Sequence, residues 1–301
     1  MTNASLGPEN NKLKTADWEL DFFSRPIIEI DGKKRWELLI SSTQDFSGGE
    51  TFRWVKQCPA NEVNSIWLSQ SLQEALKEAK AQGWATPKKL RCWRASMKTM
   101  IRKAADKVGL EVLESRRTFS LFEWLKQREK DVYPNETGYI SGPIPPSKVD
   151  ILNQPEPLPE ALRGDAWSFS SLSVGNLREA KEWPMEFNSL LPIRESLDET
   201  IQIPGLRLFS QTRSLAVSAW LSGVEPVRLL VEKNQLLLEA GQEDRWLVTD
   251  MNKDYAHQVE LQLCKARDNA DGIQFIAIQS SPEEEKFTGF WMLKDMNTSL
   301  V

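Results

Sequence analysis

Residues 18–30 read WELDFFSRPIIEI, and the chain continues DGKKRWELLI through residue 40. The first run is rich in aromatic and β-branched residues, Asp31-Gly32 gives a tight-turn signal, and RWELLISS returns as a second extended run. Together they predict a β-hairpin. A polar stretch holding Gly48-Gly49 then leads into TFRWVKQC (51–58), a third strand. SIWLSQSLQEALKEAKAQG (65–83) has helical periodicity and stops at a glycine. KLRCWR (89–94) reads as a short strand, with Ser96 placed to cap the helix MKTMIRKAADKVG (97–109), which again ends on glycine. EVLESRR (111–117) is a fifth strand and FSLFEWLKQREKDVY (119–133) a closing helix. The order βββαβαβα is that of a ribonuclease H-like half, a three-stranded meander with two strands added through helices.

Outward from this block, residues 134–164 contain seven of the sixteen prolines. Repeated proline fixes φ and removes N–H donors, which predicts an extended, semi-rigid linker. The expected organisation is a polar lead-in over 1–16, an N-terminal domain over 17–133, the linker, and a C-terminal domain over 165–301. In the last, WSFSSLSV and GLRLFS read as strands and SLAVSAWLSGV as a helix. PVRLLVEKNQLLLEA is a hairpin about Lys233-Asn234, and DRWLVTDM is a further strand. KDYAHQVELQLCKARDNA is an amphipathic helix, and GIQFIAIQSS and KFTGFWMLKD close the chain as strands. The fold class is therefore α+β in two domains. The αβββαββ order superficially matches a restriction-endonuclease core. That chemistry needs a (D/E)xK pair, and Glu232-Lys233 sits at the hairpin turn without that spacing.

A chain of 301 residues, 40% hydrophobic and 27% charged, can bury a core in each half. No apolar run approaches the ~20 residues that span a bilayer. The first sixteen residues lack the apolar segment of a signal peptide. Cys58, Cys92 and Cys264 are far apart, which disfavours a zinc knuckle or disulfide framework, and His257 is the single histidine, expected on an exposed helix face. No nucleotide-binding glycine loop, metal-protease or serine-hydrolase motif occurs, so neither cofactor nor metal is expected.

The net charge of -5 conceals an asymmetry. Residues 1–133 carry 23 Lys+Arg against 18 Asp+Glu, whereas the remainder carries 15 against 25. From Lys88 to Arg117 there are ten basic residues and three acidic ones. Phosphate binding responds to such local fields rather than to the total. In a strand, Arg91 and Trp93 share one face opposite Arg94, while Lys98, Arg102 and Lys103 gather on one side of the following helix. A basic helix face beside a Trp-bearing strand is how single-stranded RNA is held, through phosphate contacts and base stacking. The candidate RNA-binding residues are thus Arg91, Trp93, Arg94, Lys98, Arg102 and Lys103. The bland reading of the same residues is a solvated helix face with Trp93 in the core. The other tryptophans of this half, Trp18, Trp36, Trp54, Trp67, Trp84 and Trp124, are expected mainly in the core. A competing class is a metal-dependent or degenerate nuclease using Asp21, Glu74 and Glu123, disfavoured by arginines where the fourth strand would need an acid. A third is a protein-only assembly factor.

WELDFFSRPIIEIDGKKRWELLI, LRCWRASMKTMIRKAADKVGLEV and the late GFWMLKD resemble the Tab/Atab family of chloroplast and cyanobacterial proteins, as do PEPLPEALRGDAW and LAVSAWLSGVEPVRLLVE. The family's Trp-Leu-Leu-rich terminal tetrapeptide stands here as Trp291-Met292-Leu293. The resemblance implies an RNA-binding translation activator, without catalysis, for photosystem I and in plants photosystem II core subunits. It implies A/U-rich single-stranded mRNA leaders as partner, alongside translation machinery or photosystem biogenesis proteins. The expected location is the cytoplasm of a cyanobacterial-type cell, or the stroma for a processed plastid form.

Overall fold

The computed structural model describes residues 13–141 and 154–296. Most of the expected lead-in and the middle of the expected linker lie outside the described residues. The N-terminal half runs β1 (Trp18–Ile28), β2 (Lys34–Ser42), β3 (Arg53–Cys58), α1 (Ser65–Ala81), β4 (Lys89–Cys92), α2 (Lys98–Asp106), β5 (Glu111–Glu114) and α3 (Phe119–Asp131), the βββαβαβα order anticipated. Its sheet has the order β3-β2-β1-β4-β5, with the meander antiparallel and β4 and β5 parallel to β1. The β1–β2 register shifts between Ser24 and Ile28. Pro26, which cannot donate to a ladder, falls inside that irregularity. Asn64 caps α1 by accepting from the N–H groups of Ile66 and Trp67, and Gly83 ends the turn at φ 82°.

Two details of the basic segment differ from the sequence reading. The fourth strand ends at Cys92, so strict alternation does not govern Trp93 and Arg94. A short 3-10 turn (Ala95–Met97) precedes α2, and no side chain caps that helix; Ser96 does not act as its cap.

The two faces of this sheet differ in kind. Trp18, Leu20 and Phe22 of β1 point toward α1 and α2 and pack with Leu68, Leu72, Ile101 and Ala104. Trp18 stacks on Phe52 and Phe22 on Trp67. The alternate residues Glu19 and Asp21 point to the side covered by α3, and both are buried. Of the seven N-terminal tryptophans, Trp18, Trp67, Trp84 and Trp124 are buried and Trp36 and Trp54 pack partly buried against the core, as a packing role requires.

The C-terminal half comprises β6 (Glu156–Pro157), β7 (Ala166–Ser173), α4 (Val174–Arg178), β8 (Phe187–Ser189), β9 (Gln202–Phe209), α5 (Ser214–Val224), β10 (Pro226–Glu232), β11 (Gln235–Ala240), β12 (Asp244–Asp250), α6 (Lys253–Asn269), β13 (Ile273–Gln279) and β14 (Gly289–Lys294). They form two sheets, β10-β11-β12-β6 and β7-β9-β13-β14-β8. The β10–β11 hairpin turns through Lys233 and Asn234, both at positive φ (49° and 62°), where Asn is well tolerated. The amphipathic helix α6 buries Ala256, Val259, Leu263 and Ala266 against Leu206, Leu229 and Ile276, leaving His257 exposed.

The described ends of the proline-rich stretch dock on the two halves. Gly138 (φ 85°) lies against β1, and the Ile28 N–H donates to its carbonyl at 2.8 Å. A Cβ there would meet Ile28 O at 2.1 Å, so glycine is required. On the other side, Glu156-Pro157 pairs in parallel with Trp246-Leu247 at a sheet edge, where a missing N–H is tolerated.

Candidate nucleic-acid interface

Helix α2 presents its basic residues to solvent because Ile101, Ala104 and Ala105 are committed to the core on the other side. Lys98, Arg102 and Lys103 are exposed. Lys98 and Arg102 both lean on Glu114 of β5, at 3.5 and 2.6 Å, while Lys103 makes no ion pair among the described residues. Contacts of this exposure are weak and exchange readily with water or with another anion. These three side chains form one continuous basic face.

Arg91, Trp93 and Arg94 are placed elsewhere. Arg94 is 6% exposed, and its Nε donates to Asp21 at 2.5 Å. Its guanidinium is also sandwiched between Phe23 and Trp93, 4.0 Å from each ring centroid. Trp93 packs partly buried against Phe122, edge to face. Because the chain leaves the strand at Cys92, Arg94 turns inward beneath α3 rather than onto a groove wall. Asp21 also receives Arg25 at 2.9 Å, Arg25 approaches Glu37 at 3.4 Å, and Glu37 binds Arg128 and the Tyr133 hydroxyl at 3.2 and 2.8 Å. Burial pushes the Asp21 carboxyl upward, but the two guanidiniums outweigh it and hold it below the usual carboxylate range. Burial drives the Tyr133 hydroxyl up to about 12.

Arg91 faces the other half of the molecule. Its Nε and Nη2 donate to the Glu225 carboxylate at 2.7–3.1 Å, and its Nη1 donates to Asp17 at 3.0 Å. Glu225 follows α5 in a left-handed conformation (φ 53°), which aims its side chain across the junction. Arg116 reaches Glu239 of β11 at 2.7 Å, and Gln242 Nε2 donates to the Trp93 carbonyl at 3.0 Å. The junction is therefore a band of charge-assisted bonds. Four arginines of the stretch 88–117 (Arg91, Arg94, Arg116 and the buried Arg117) are spent inside the fold or between its halves, and the sequence count overstates the exposed positive charge.

The three acids of the nuclease alternative do not converge. Asp21 is sealed by Arg94 and Arg25, Glu74 pairs with Lys56 at 2.6 Å, and Glu123 pairs with Lys294 of β14. No group of three His, Cys, Asp or Glu able to hold a metal ion exists among the described residues. Burial raises the thiols of Cys58 and Cys92 to about 12, so neither is poised as a nucleophile.

The sequence reading missed a cleft of about 1150 Å³ between the halves. Glu19, Arg91, Arg117 and Phe119 contribute from the N-terminal half, and Ser189 and Lys294 from the C-terminal half. Glu19 is 1% exposed; one of its oxygens accepts from the Leu121 N–H at 2.8 Å, yet burial lifts its carboxyl to about 8. Only an acid at an inward strand position, Glu19 beside Asp21, hinted at this in the sequence. Which half would cover it was not encoded locally.

Two family models account for most of the chain. One, RNA-binding protein Tab2/Atab2 N terminal, matches residues 17–128, and the other, RNA-binding protein Tab2/Atab2, C-terminal domain, matches residues 145–294. The chain belongs to the Tab2/Atab2 family. Among Tab2/Atab2 relatives, the protein TAB2 homolog, chloroplastic, of Zea mays is 31% identical over 302 residues, covering 97% of this chain and 74% of its own length. The Arabidopsis thaliana protein of the same name is 30% identical over 305 residues, covering 97% and 78%. The family resemblance carried by the quoted blocks thus extends across both halves. No helix among the described residues of this Tab2/Atab2 member is long and apolar enough to cross a membrane.

Proposed function

We propose that this protein binds single-stranded, A/U-rich mRNA leaders and activates translation of photosystem I, and in some settings photosystem II, core subunits without performing chemistry on the RNA. Membership in a family described as RNA-binding carries the reading. The exposed face of α2 supports its location: Lys98, Arg102 and Lys103 provide phosphate contacts on a rigid helix. Arg91, Trp93 and Arg94 then act behind that face, fixing its position relative to the C-terminal half and to α3. The acidic C-terminal half contacts a protein partner, in the translation machinery or among photosystem biogenesis proteins. The chloroplastic relatives favour a photosynthetic setting, the stroma or the cytoplasm of a cyanobacterial-type cell.

The test is fluorescence anisotropy of an A/U-rich single-stranded RNA over a salt series. Binding with a log–log salt slope of about -0.7 per phosphate contact is expected. Replacing Lys98, Arg102 and Lys103 by Ala should flatten that slope by two to three contacts' worth. An unchanged slope would remove the interface from α2. Absence of RNA binding in the wild type, with ribonuclease-insensitive capture of photosystem subunits, would favour a protein-only assembly role.

A further inference from the structure

Three arginines are buried among the described residues: Arg25, Arg94 and Arg117. Arg25 and Arg94 share the carboxylate of Asp21. Arg117 has no carboxylate within ion-pair distance among the described residues. Its Nη1 donates to the Pro226 carbonyl at 2.6 Å, and its Nη2 donates to Ser189 Oγ and the Met292 carbonyl at 2.8 and 3.0 Å. All three acceptors are neutral. Burial lowers the Arg117 guanidinium to about 10, which leaves it charged at neutral pH. The charges of Glu225 and Glu19 pull that value up, but burial outweighs them, and burial pushes the Glu19 carboxyl itself up to about 8. Glu225 is already engaged by Arg91. A buried cation is costly unless an anion meets it, and this one lines a cavity.

Two further features converge on the same spot. The thirteen-residue helix α3 begins just after Arg117, its N-cap Thr118 offers no side-chain hydrogen bond, and Phe119 and Ser120 of its first turn line the cleft. A helix start favours negative charge, and Glu19 meets part of this one by accepting from the Leu121 N–H at 2.8 Å. Leu190, Leu191, Pro192 and Ile193, which follow Ser189 in the chain, give the cleft an apolar wall. At the rim, Asp17, Glu50, Glu123 and Asp271 are paired with Arg91, Lys14, Lys294 and Arg194, while Asp45 and Glu195 also line the opening. Such a rim offers no long-range attraction to a polyanion. One phosphate on one guanidinium, with a flat apolar body against the wall, suits it better.

We infer that the cleft between the halves binds a small phosphate monoester with an apolar or aromatic body, of nucleoside monophosphate type, with its phosphate on Arg117 at the start of α3. The inference stands independently of RNA binding on α2.

The experiment is isothermal titration of the full-length protein with inorganic phosphate, with adenosine and uridine 5′-monophosphates, and with the nucleosides lacking phosphate. At least one monophosphate is expected to bind at least tenfold more tightly than its nucleoside and than inorganic phosphate. Arg117→Gln should weaken it at least tenfold. Should Arg117→Gln not fold, Ser189→Asp provides the second variant: it sets a carboxylate beside the guanidinium and should abolish monophosphate binding while keeping or raising the Tm. No binding of any monophosphate to the wild type, or equal binding by nucleosides, would overturn the proposal. So would full binding by a folded Ser189→Asp. Inorganic phosphate binding as tightly as the esters would reduce the site to a free-anion site and refute the ester. Competitive displacement of monophosphate by single-stranded RNA would assign the cleft to the RNA strand and refute the small ligand. Loss of RNA binding in the α2 variant with monophosphate binding intact would count against the RNA interface alone.

Discussion

The layer beneath α3 and the outer face of α2 each take an arginine from one basic stretch, Arg94 and Arg102, yet they use charge in opposite ways. Under α3, Arg94 and Arg25 converge on Asp21, and Arg25 and Arg128 on Glu37, at exposures of a few per cent for most of the groups. On α2, Arg102 is 58% exposed and Lys98 46% exposed, with one shared partner, Glu114. In the first region each charge is stabilised only while its partner is present. In the second, water already solvates the charges, and partners are interchangeable. The first is architecture, and the second is available to a ligand.

The widest gap between the regions should appear on removing one partner from each. Asp21→Ala removes the carboxylate that Arg94 and Arg25 share, leaving Arg25 with Glu37, and is expected to cost about 3–5 kcal/mol of unfolding free energy, measured by urea denaturation. A loss below about 1 kcal/mol would mean that water enters this layer, and the contrast would collapse.

Glu19 sharpens the comparison through pH. Its folded-state value of about 8 lies above the ordinary carboxylate value of 4.5, so between these limits the folded state holds a proton that the unfolded state has lost. Its contribution is fully present below the unfolded value and is lost as pH rises toward and through about 8. Relative to Glu19→Gln, the wild type should lose stability on going from pH 5 to pH 8, with a limiting slope of about 1.4 kcal/mol per pH unit. Parallel stability–pH curves for the two proteins would show that Glu19 is ionised in the fold.

At the junction, Glu225→Gln weakens the bidentate grip on Arg91 while keeping the shape of the side chain. A loss of about 2 kcal/mol is expected, with faster limited proteolysis between the halves. Equal proteolysis rates would show that the halves are held by other contacts. The smallest effect belongs to α2. Replacing Lys98, Arg102 and Lys103 together by Ala should change stability by no more than about 1 kcal/mol, since each is exposed. A larger loss would place these residues in the architecture and remove the distinction from which the RNA interface is argued.

Much of the fold was legible from local signals. The hairpin at Asp31-Gly32, the helix stopped by Gly83, and the β10–β11 turn at Lys233-Asn234 follow from backbone preferences that the residues carry wherever they stand. The site was legible only in part. The periodicity of α2 showed that Lys98, Arg102 and Lys103 share a face, because helix geometry fixes relative direction over a few residues. It did not show that the fourth strand stops at Cys92, which turns Arg94 onto Asp21, seventy-three residues earlier in the chain. Nor did it show that Arg91 finds Glu225, more than a hundred residues away.

By itself, the sequence determined the element order of the N-terminal half, though not β6, α4 or β8 of the other, together with the α+β class, the basic and acidic halves and the family resemblance, all of which rest on short-range pattern or on direct likeness. Tertiary structure alone decided which charges face water and which face one another, and it created the cleft at Arg117. The reason is physical: a guanidinium's chemistry depends on the carboxylate, carbonyl or solvent within a few ångströms of it. Those neighbours come from elements far away along the chain.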